Sequence, residues 1–288
     1  MKFLVIGDFH GEFPKKFKDL IKKEKIDLVI SNGDYLPFAY RKLWFKHCFD
    51  KDLGLWEFIG KQKYKQLIKG DLRKGEGVLK KMNKLPVPVV TVLGNVDYPD
   101  PDDVADLKQI KKSKDNWDFD ENRKDYFLGL IKNYRNVHLV NYSWVKIKNY
   151  IFVGMRGHSF PGQVKSKSFK KHKHILDQIF RKLRKQNKGR KLIFISHNVP
   201  YNTKLDKISM KAHESVRGEH YGSKLTRKVI DKWQPVLAIG GHIHEGRGIQ
   251  KIGRTICVNP GSMHDRQYAI AEINEVNGKI KVKFGVKK

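Results

Sequence analysis

Cysteine is nearly absent: Cys48 and Cys257 are the only two in 288 residues. That rules out the disulfide-stapled secreted scaffolds and fits a reducing compartment. Cys257, inside the apolar run 255–258, reads as a small core residue. Long hydrophobic runs are missing as well. The first one, Phe3 to Ile6, stops at Gly7 and Asp8, too short for a secretory signal, and no stretch approaches the roughly 20 apolar residues of a membrane span. A soluble cytoplasmic protein without a transmembrane segment is expected. Acidic residues are scarce, 30 Asp and Glu against 60 Lys and Arg, for a net charge of +30. Such a field favours anionic partners, among them nucleic acid, acidic membranes and phosphorylated metabolites. The bland alternative is a lysine-rich solvated surface, since the basic residues are spread along the chain. Internal repeats and flexible linkers are also lacking, so residues 1–288 read as one domain.

What the chain does have is a 39% hydrophobic content, enough for a sizeable core, arranged with a clear rhythm. Short β-branched runs alternate with lysine-rich amphipathic segments, the pattern of an α/β fold. Strands are predicted at 3–6, 28–30, 89–93, 137–140, 145–147, 150–153, 192–195, 236–239, 255–258 and 269–273. Helices are predicted at 15–25, 73–83, 120–133, 172–187 and 223–232. Two segments break the rhythm. Residues 35–70 are rich in aromatics, including Phe38, Trp44, Phe45, Trp56 and Phe58, and are expected to form an insertion that caps one end of a sheet. Residues 165–191 hold twelve Lys or Arg and a single acid, Asp177, which suits either a solvated helix face or an anion-binding one.

Five of the predicted strands end alike, in small residues followed by a side chain that ligates metals. Phe3–Ile6 leads to GDFHG, Leu28–Ile30 to NGDY, Val89–Leu93 to GNVD, Leu192–Ile195 to SHNVP, and Val236–Ile239 to GGHIHE. In open α/β sheets ligands bind beyond the carboxyl ends of the strands, so these distant tips are expected to converge. The set is Asp8, His10, Asp34, Asn95, His197, His242 and His244. Seven ligands exceed the needs of one tetrahedral zinc and suit two ions sharing Asp34. Mixed oxygen and imidazole donors fit manganese, iron, nickel, cobalt or zinc. Such a pair, roughly 3.5–4 Å apart, activates a bridging hydroxide for in-line attack on phosphorus and leaves the pocket positively charged.

The ordered series Asp-X-His, Gly-Asp, Gly-Asn, a lone His and Gly-His-X-His resembles the calcineurin-like metallophosphoesterase superfamily. Asn259-Pro-Gly-Ser262 is similar to the turn of its small bacterial and archaeal phosphodiesterase branch. The resemblance implies a four-layer α-β-β-α sandwich with two mixed β-sheets. It implies Asp8, His10, Asp34 and His244 on a first ion, and Asp34, Asn95, His197 and His242 on a second, manganese being the leading candidate. It implies hydrolysis of a nucleotide-type or nucleic-acid phosphodiester. A phosphomonoesterase on the same metals is the runner-up, and a non-catalytic scaffold of the same fold comes third. Many members carry a histidine after the third motif's asparagine, where this chain has Val96. His158 is the candidate to replace that catalytic group, with His213 and His220 as further options. Asp97 is expected to orient a ligand, or else to be a turn residue. Arg247 is expected to clamp a phosphate or to pair with Glu245 or Asp97.

Overall fold

The computed structural model describes residues 1–14, 17–48, 54–97, 126–157, 167–187, 189, 191–212, 214 and 216–286. The short apolar runs become strands β1 (Lys2–Ile6), β2 (Leu28–Ser31), β3 (Val89–Thr91), β4 (Val137–Leu139), β5 (Trp144–Ile147) and β6 (Tyr150–Met155). They continue as β7 (Lys191–Asn198), β8 (Leu237–Gly241), β9 (Gly248–Ile252), β10 (Thr255–Asn259), β11 (Gln267–Ile273) and β12 (Ile280–Val286). The helices are α1 (Phe17–Glu24), α2 (Arg41–His47), α3 (Leu55–Ile59), α4 (Lys61–Asn83), α5 (Tyr126–Ile131), α6 (Lys167–Gln186) and α7 (Lys224–Trp233).

The strands form two six-stranded mixed sheets, ordered β12-β11-β1-β2-β3-β4 and β5-β6-β7-β8-β10-β9. In the first, β1 to β4 run parallel and β11 and β12 are antiparallel additions. In the second, β6, β7, β8 and β10 are parallel, flanked by antiparallel β5 and β9. The two-residue period of a strand explains why the central runs are apolar throughout. Phe3, Val5, Leu28, Ile30, Val90, Ile193, Ile195 and Ile239 turn inward to one core between the sheets. Leu4, Ile6, Val29 and Val89 turn outward to α1, α4 and α5, while Phe194 and Ala238 meet α6 and α7. Helix, sheet, sheet and helix thus make the four-layer sandwich.

Several elements exceed the reading from sequence. Helix α4 begins at Lys61 rather than Arg73, and α2 and α3 lie within the 35–70 insertion. Gly70, Gly75 and Gly77 disguise α4, because glycine in a helix costs about 1 kcal/mol relative to alanine. Gly75 has a packing reason: a β-carbon there would come within 2.7 Å of Leu36. Edge strand β12 alternates Ile280, Val282 and Phe284 with Lys281 and Lys283, so its lysines hide it. The predicted helix at 120–133 is seen as α5, and its first residues lie outside the described ones. The basic segment becomes α6, which buries Leu176, Phe180 and Leu183 against the second sheet and leaves Lys170, Lys171, Arg181, Lys182, Arg184 and Lys185 exposed on the outer layer. No helix among the described residues is long and apolar enough to cross a membrane.

Candidate metal centre

The tips of β1, β2, β3, β7 and β8 meet at one end of the sandwich, and the loops that follow are interlocked by their backbones. Asp8 N–H donates to Gly33 O at 2.8 Å, His10 N–H to Asp34 O at 3.1 Å, and Gly157 N–H to Leu93 O at 2.7 Å. Glycine is required where these loops touch. A β-carbon on Gly94 would lie 1.9 Å from Asp34 Oδ1, and one on Gly241 2.4 Å from Asp8 Oδ2. Asp8, His10, Asp34 and His242 all have positive φ, between 46° and 73°. Left-handed backbone at four non-glycine residues in one place is a concentration of strain, which structures retain mainly at functional sites.

Two triads result: Asp8, His10 and His244 in one, and Asp34, His197 and His242 in the other, the donor atoms of each lying within 4.8 Å of one another. His197 Nε2 stands 2.7 Å from Asn95 Oδ1, 3.2 Å from His242 Nδ1 and 3.5 Å from Asp34 Oδ2. His244 Nε2 lies 3.4 Å from both Asp8 Oδ1 and His10 Nε2. All seven predicted ligands are therefore drawn to this end of the sandwich.

The donor set fits cations. His197 donates from Nδ1 to the Asn32 carbonyl at 2.8 Å, and His10 from Nδ1 to the Leu36 carbonyl at 3.3 Å. With that proton committed, a neutral ring points its Nε2 lone pair into the cluster, where that of His197 meets the Asn95 and Asp34 oxygens and the His242 ring, and that of His10 meets the His244 ring. Lone pairs crowded together in this way call for positive charge. Without it, the charges redistribute: burial would raise the Asp8 carboxyl, yet the hydrogen bond from His244 and the nearby His197 and His10 hold it below the usual range. Burial would lower His244, but Asp8 outweighs that and raises it. His244 also feels Asp34, and Asp8 feels His197, so the two triads are electrostatic neighbours.

Asp97 is buried and ties two strand tips together, accepting N–H bonds from Asp34 at 2.8 Å, Tyr35 at 2.7 Å, Leu36 at 3.2 Å and Gly94 at 2.8 Å. Burial, reinforced by the charge of Asp34, pushes its carboxyl up to about 7 against the pull of those donors. Arg247 departs from expectation. Its guanidinium donates to the carbonyls of Pro260, Tyr268 and Gly285 and stacks on Phe284 at 4.9 Å, stitching the 260–262 turn to the edge of the first sheet. Neither expected acid pairs with it: Glu245 accepts from Ser209 N–H. His220 is also occupied, bonded at 2.8 Å to the buried Asp206. His158 and His213 lie outside the described residues.

Asn32 and Ser262, which are not among the seven ligands, also support the centre. Ser262 Oγ donates to the Asp8 carbonyl, Asn259 Nδ2 to the Ile243 carbonyl, and Asn32 reaches both Asp8 and His197. Their signal was their place beside the ligand motifs.

The model of the calcineurin-like phosphoesterase family matches residues 1–246. The chain belongs to that family. This phosphoesterase is 34% identical over 287 residues to the uncharacterized protein MJ1162 of Methanocaldococcus jannaschii, covering 96% of this chain and 98% of the relative. Its fold is similar to that of a solved crystal structure with 20% identity, covering 98% of both chains at a TM-score of 0.65. It is also similar to TT1561 of Thermus thermophilus, with 13% identity over 98% of this chain and 97% of that one, at a TM-score of 0.52. The enzyme is a hydrolase of phosphate esters with two candidate groups of metal-ligating side chains.

Proposed function

We propose that this phosphoesterase is a cytoplasmic phosphodiesterase loaded with two divalent transition-metal ions, manganese foremost. The observation that carries the reading is the convergence of the Asp8 and Asp34 triads on adjacent ground, with imidazole lone pairs fixed inward. Asp8, His10 and His244 would hold one ion and Asn95, His197 and His242 the other, with Asp34 shared between them. When bound, such a pair supplies Lewis acidity towards the phosphoryl oxygens and lowers the pKa of water.

The protein's own part is orientation. Asn32 O and Leu36 O fix the tautomers of His197 and His10, and Asp97 holds the Asp34 and Asn95 loops in register. The ligand set contains only two carboxylates, Asp8 and Asp34, so once two divalent ions are held the pocket carries net positive charge and attracts a phosphate ester. Val96 stands where an acid would otherwise protonate a leaving group, and its N–H instead bonds to Asp34 Oδ1 at 3.1 Å.

The test compares bis-p-nitrophenyl phosphate with p-nitrophenyl phosphate under manganese. Faster turnover of the diester supports the reading; faster turnover of the monoester replaces it with a phosphomonoesterase. Failure to take up manganese removes both.

A further inference from the structure

Helix α4 is far longer than its sheet layer requires. Its 23 residues span ~34 Å, whereas the four residues of β2 cover ~13 Å. Lys74 marks the level of the metal centre, since a β-carbon on Gly11, the neighbour of His10, would lie 3.3 Å from Lys74 Cβ. The helix runs on from there to β3, so its first 13 residues, 61–73, are ~20 Å of helix on the other side of Lys74 from β3. Helices α2 and α3 pack on that overhang through Tyr40 against Tyr64 and Trp56 against Tyr64. Together they form a hood that begins at Phe38, four residues after Asp34.

The surface of this hood is unusual in composition. Helix α2, RKLWFKH, buries no residue and contains no acid. Leu43 is 37% exposed, and Phe45 and Phe58 are each 45% exposed. Around them stand Arg41, Lys42 and Lys46, with Lys61, Lys63, Lys65 and Lys69 exposed on the start of α4. The Arg41 guanidinium lies over the Phe45 ring at 5.4 Å, and His47 lies against Phe58 at 4.9 Å. The acid of α3, Glu57, is engaged with its own helix cap at Gly54 N–H.

We propose that the hood binds single-stranded nucleic acid, stacking bases on Phe45 and Phe58 and pairing phosphates with Arg41, Lys42 and Lys46. Aromatic rings set among cations, where the two acids among the hood's described residues, Glu57 and Asp71, are taken up by the backbone N–H groups of Gly54 and Ala39, are the platform that unpaired bases and their backbone require. An acidic membrane suits the surface less well. An interfacial helix gathers its apolar side chains on one face, whereas Leu43 and Phe45, two residues apart, point to opposite sides of α2. The exposed lysines of α6 stand on the outer helix layer without an exposed aromatic ring among them, whereas the hood combines cations with exposed Phe45 and Phe58 and starts four residues after Asp34. The inference deepens the phosphodiesterase reading by naming its substrate class, but the binding step is independent of metal.

The test is a fluorescence-anisotropy titration of the full chain in EDTA with labelled RNA and DNA oligonucleotides of about ten nucleotides, single-stranded and duplex. Single strands are expected to bind better than duplexes. Phe45→Ala with Phe58→Ala is expected to weaken single-strand binding roughly tenfold or more. Replacing Arg41, Lys42 and Lys46 with Gln is expected to flatten the log–log salt slope by about 0.7 per lost phosphate contact. Melting curves and manganese uptake verify that the variants fold; should the Phe pair unfold, the Gln set decides. Affinities unmoved by the substitutions, duplex binding equal to single-strand binding, or capture only by anionic lipid vesicles would each overturn the proposal. Hydrolysis of bis-p-nitrophenyl phosphate by the wild type is read separately, so its absence strikes the phosphodiesterase reading and leaves the oligonucleotide result standing.

Discussion

The two triads are built from the same residue types and differ in how firmly they are walled in. Asp34 and His197 are sealed, with His242 half-buried beside them, and the loops beneath them are clamped by Asp97, which accepts from four backbone N–H groups. The Asp8 triad opens to solvent through His244, whose side chain is 31% exposed, and through His10, which touches the exposed His264 at a ring distance of 6.2 Å. Its supports are separate single bonds: the Asn32 amide and the His242 N–H donate to the Asp8 carboxylate, the buried Ser262 to the Asp8 carbonyl, and the buried Asn259 to the Ile243 carbonyl. The difference teaches that one half of the centre is held by a single carboxylate gathering two loops, and the other by separate bonds from several segments beneath an opening to solvent.

That contrast breaks most decisively at Asp34. Asp34→Asn is expected to leave less than about 1% of turnover, as both halves depend on the shared carboxylate; retention of activity, read with a chromogenic diester, would end the shared-metal arrangement. Next comes the clamp itself. Asp97→Asn keeps the shape but loses charge and acceptor capacity, and an outer-shell change of this kind is expected to lower metal affinity or activity about 10- to 100-fold by metal-uptake titration. Ser262→Ala, which removes one bond to the Asp8 carbonyl, should cost less than Asp97→Asn; the reverse ranking would invert the comparison. Stepwise chelation should likewise remove one equivalent faster than the other, with the slower ion lost together with the His197 ring signals in NMR spectra.

Two further substitutions mark regions outside either triad. Arg247→Ala is expected to lower stability by about 1–3 kcal/mol through three carbonyls left without a donor, with KM for a small diester unchanged. A rise in KM alone would restore the phosphate clamp. The smallest effect belongs to Asp177. Burial would raise its carboxyl, but Lys173, Lys232 and Trp233 outweigh that and lower it to about 2. A depressed carboxylate contributes stability that is present above its unfolded value near 4 and is lost as pH falls towards 2. Asp177→Asn should therefore melt earlier than wild type at pH 7, by about 1–2 kcal/mol, and the gap should close in acid.

The sequence exposed the ligand cluster because each ligand follows a strand buried on both faces, where apolar runs and glycines leave an unmistakable trace. The parallel strands were legible for the same reason. Edge strand β9, GIQKI, and the hood helices were not, because their side chains are half solvated and follow no clear period. Asp97 was legible as a carboxylate that orients a ligand or else sits in a turn; that its oxygens gather four N–H groups from two loops depends on a register that no local pattern encodes. Arg247 misled because it follows His244 closely in sequence, while the chain turns between them at residues 244–246 and the Arg247 side chain reaches the edge of the first sheet at Gly285.

The left-handed residues at the strand tips carry one more implication. Backbone of that kind costs about 1–3 kcal/mol per residue, and glycine would relax it at Asp8, His10, Asp34 and His242. Other non-glycine residues with positive φ, such as Lys25, Lys148 and Gln234, stand singly in turns or at a helix end, whereas four gathered at one set of strand tips multiply the cost in one place. Their presence marks a fold still working against its own ease in order to grip something.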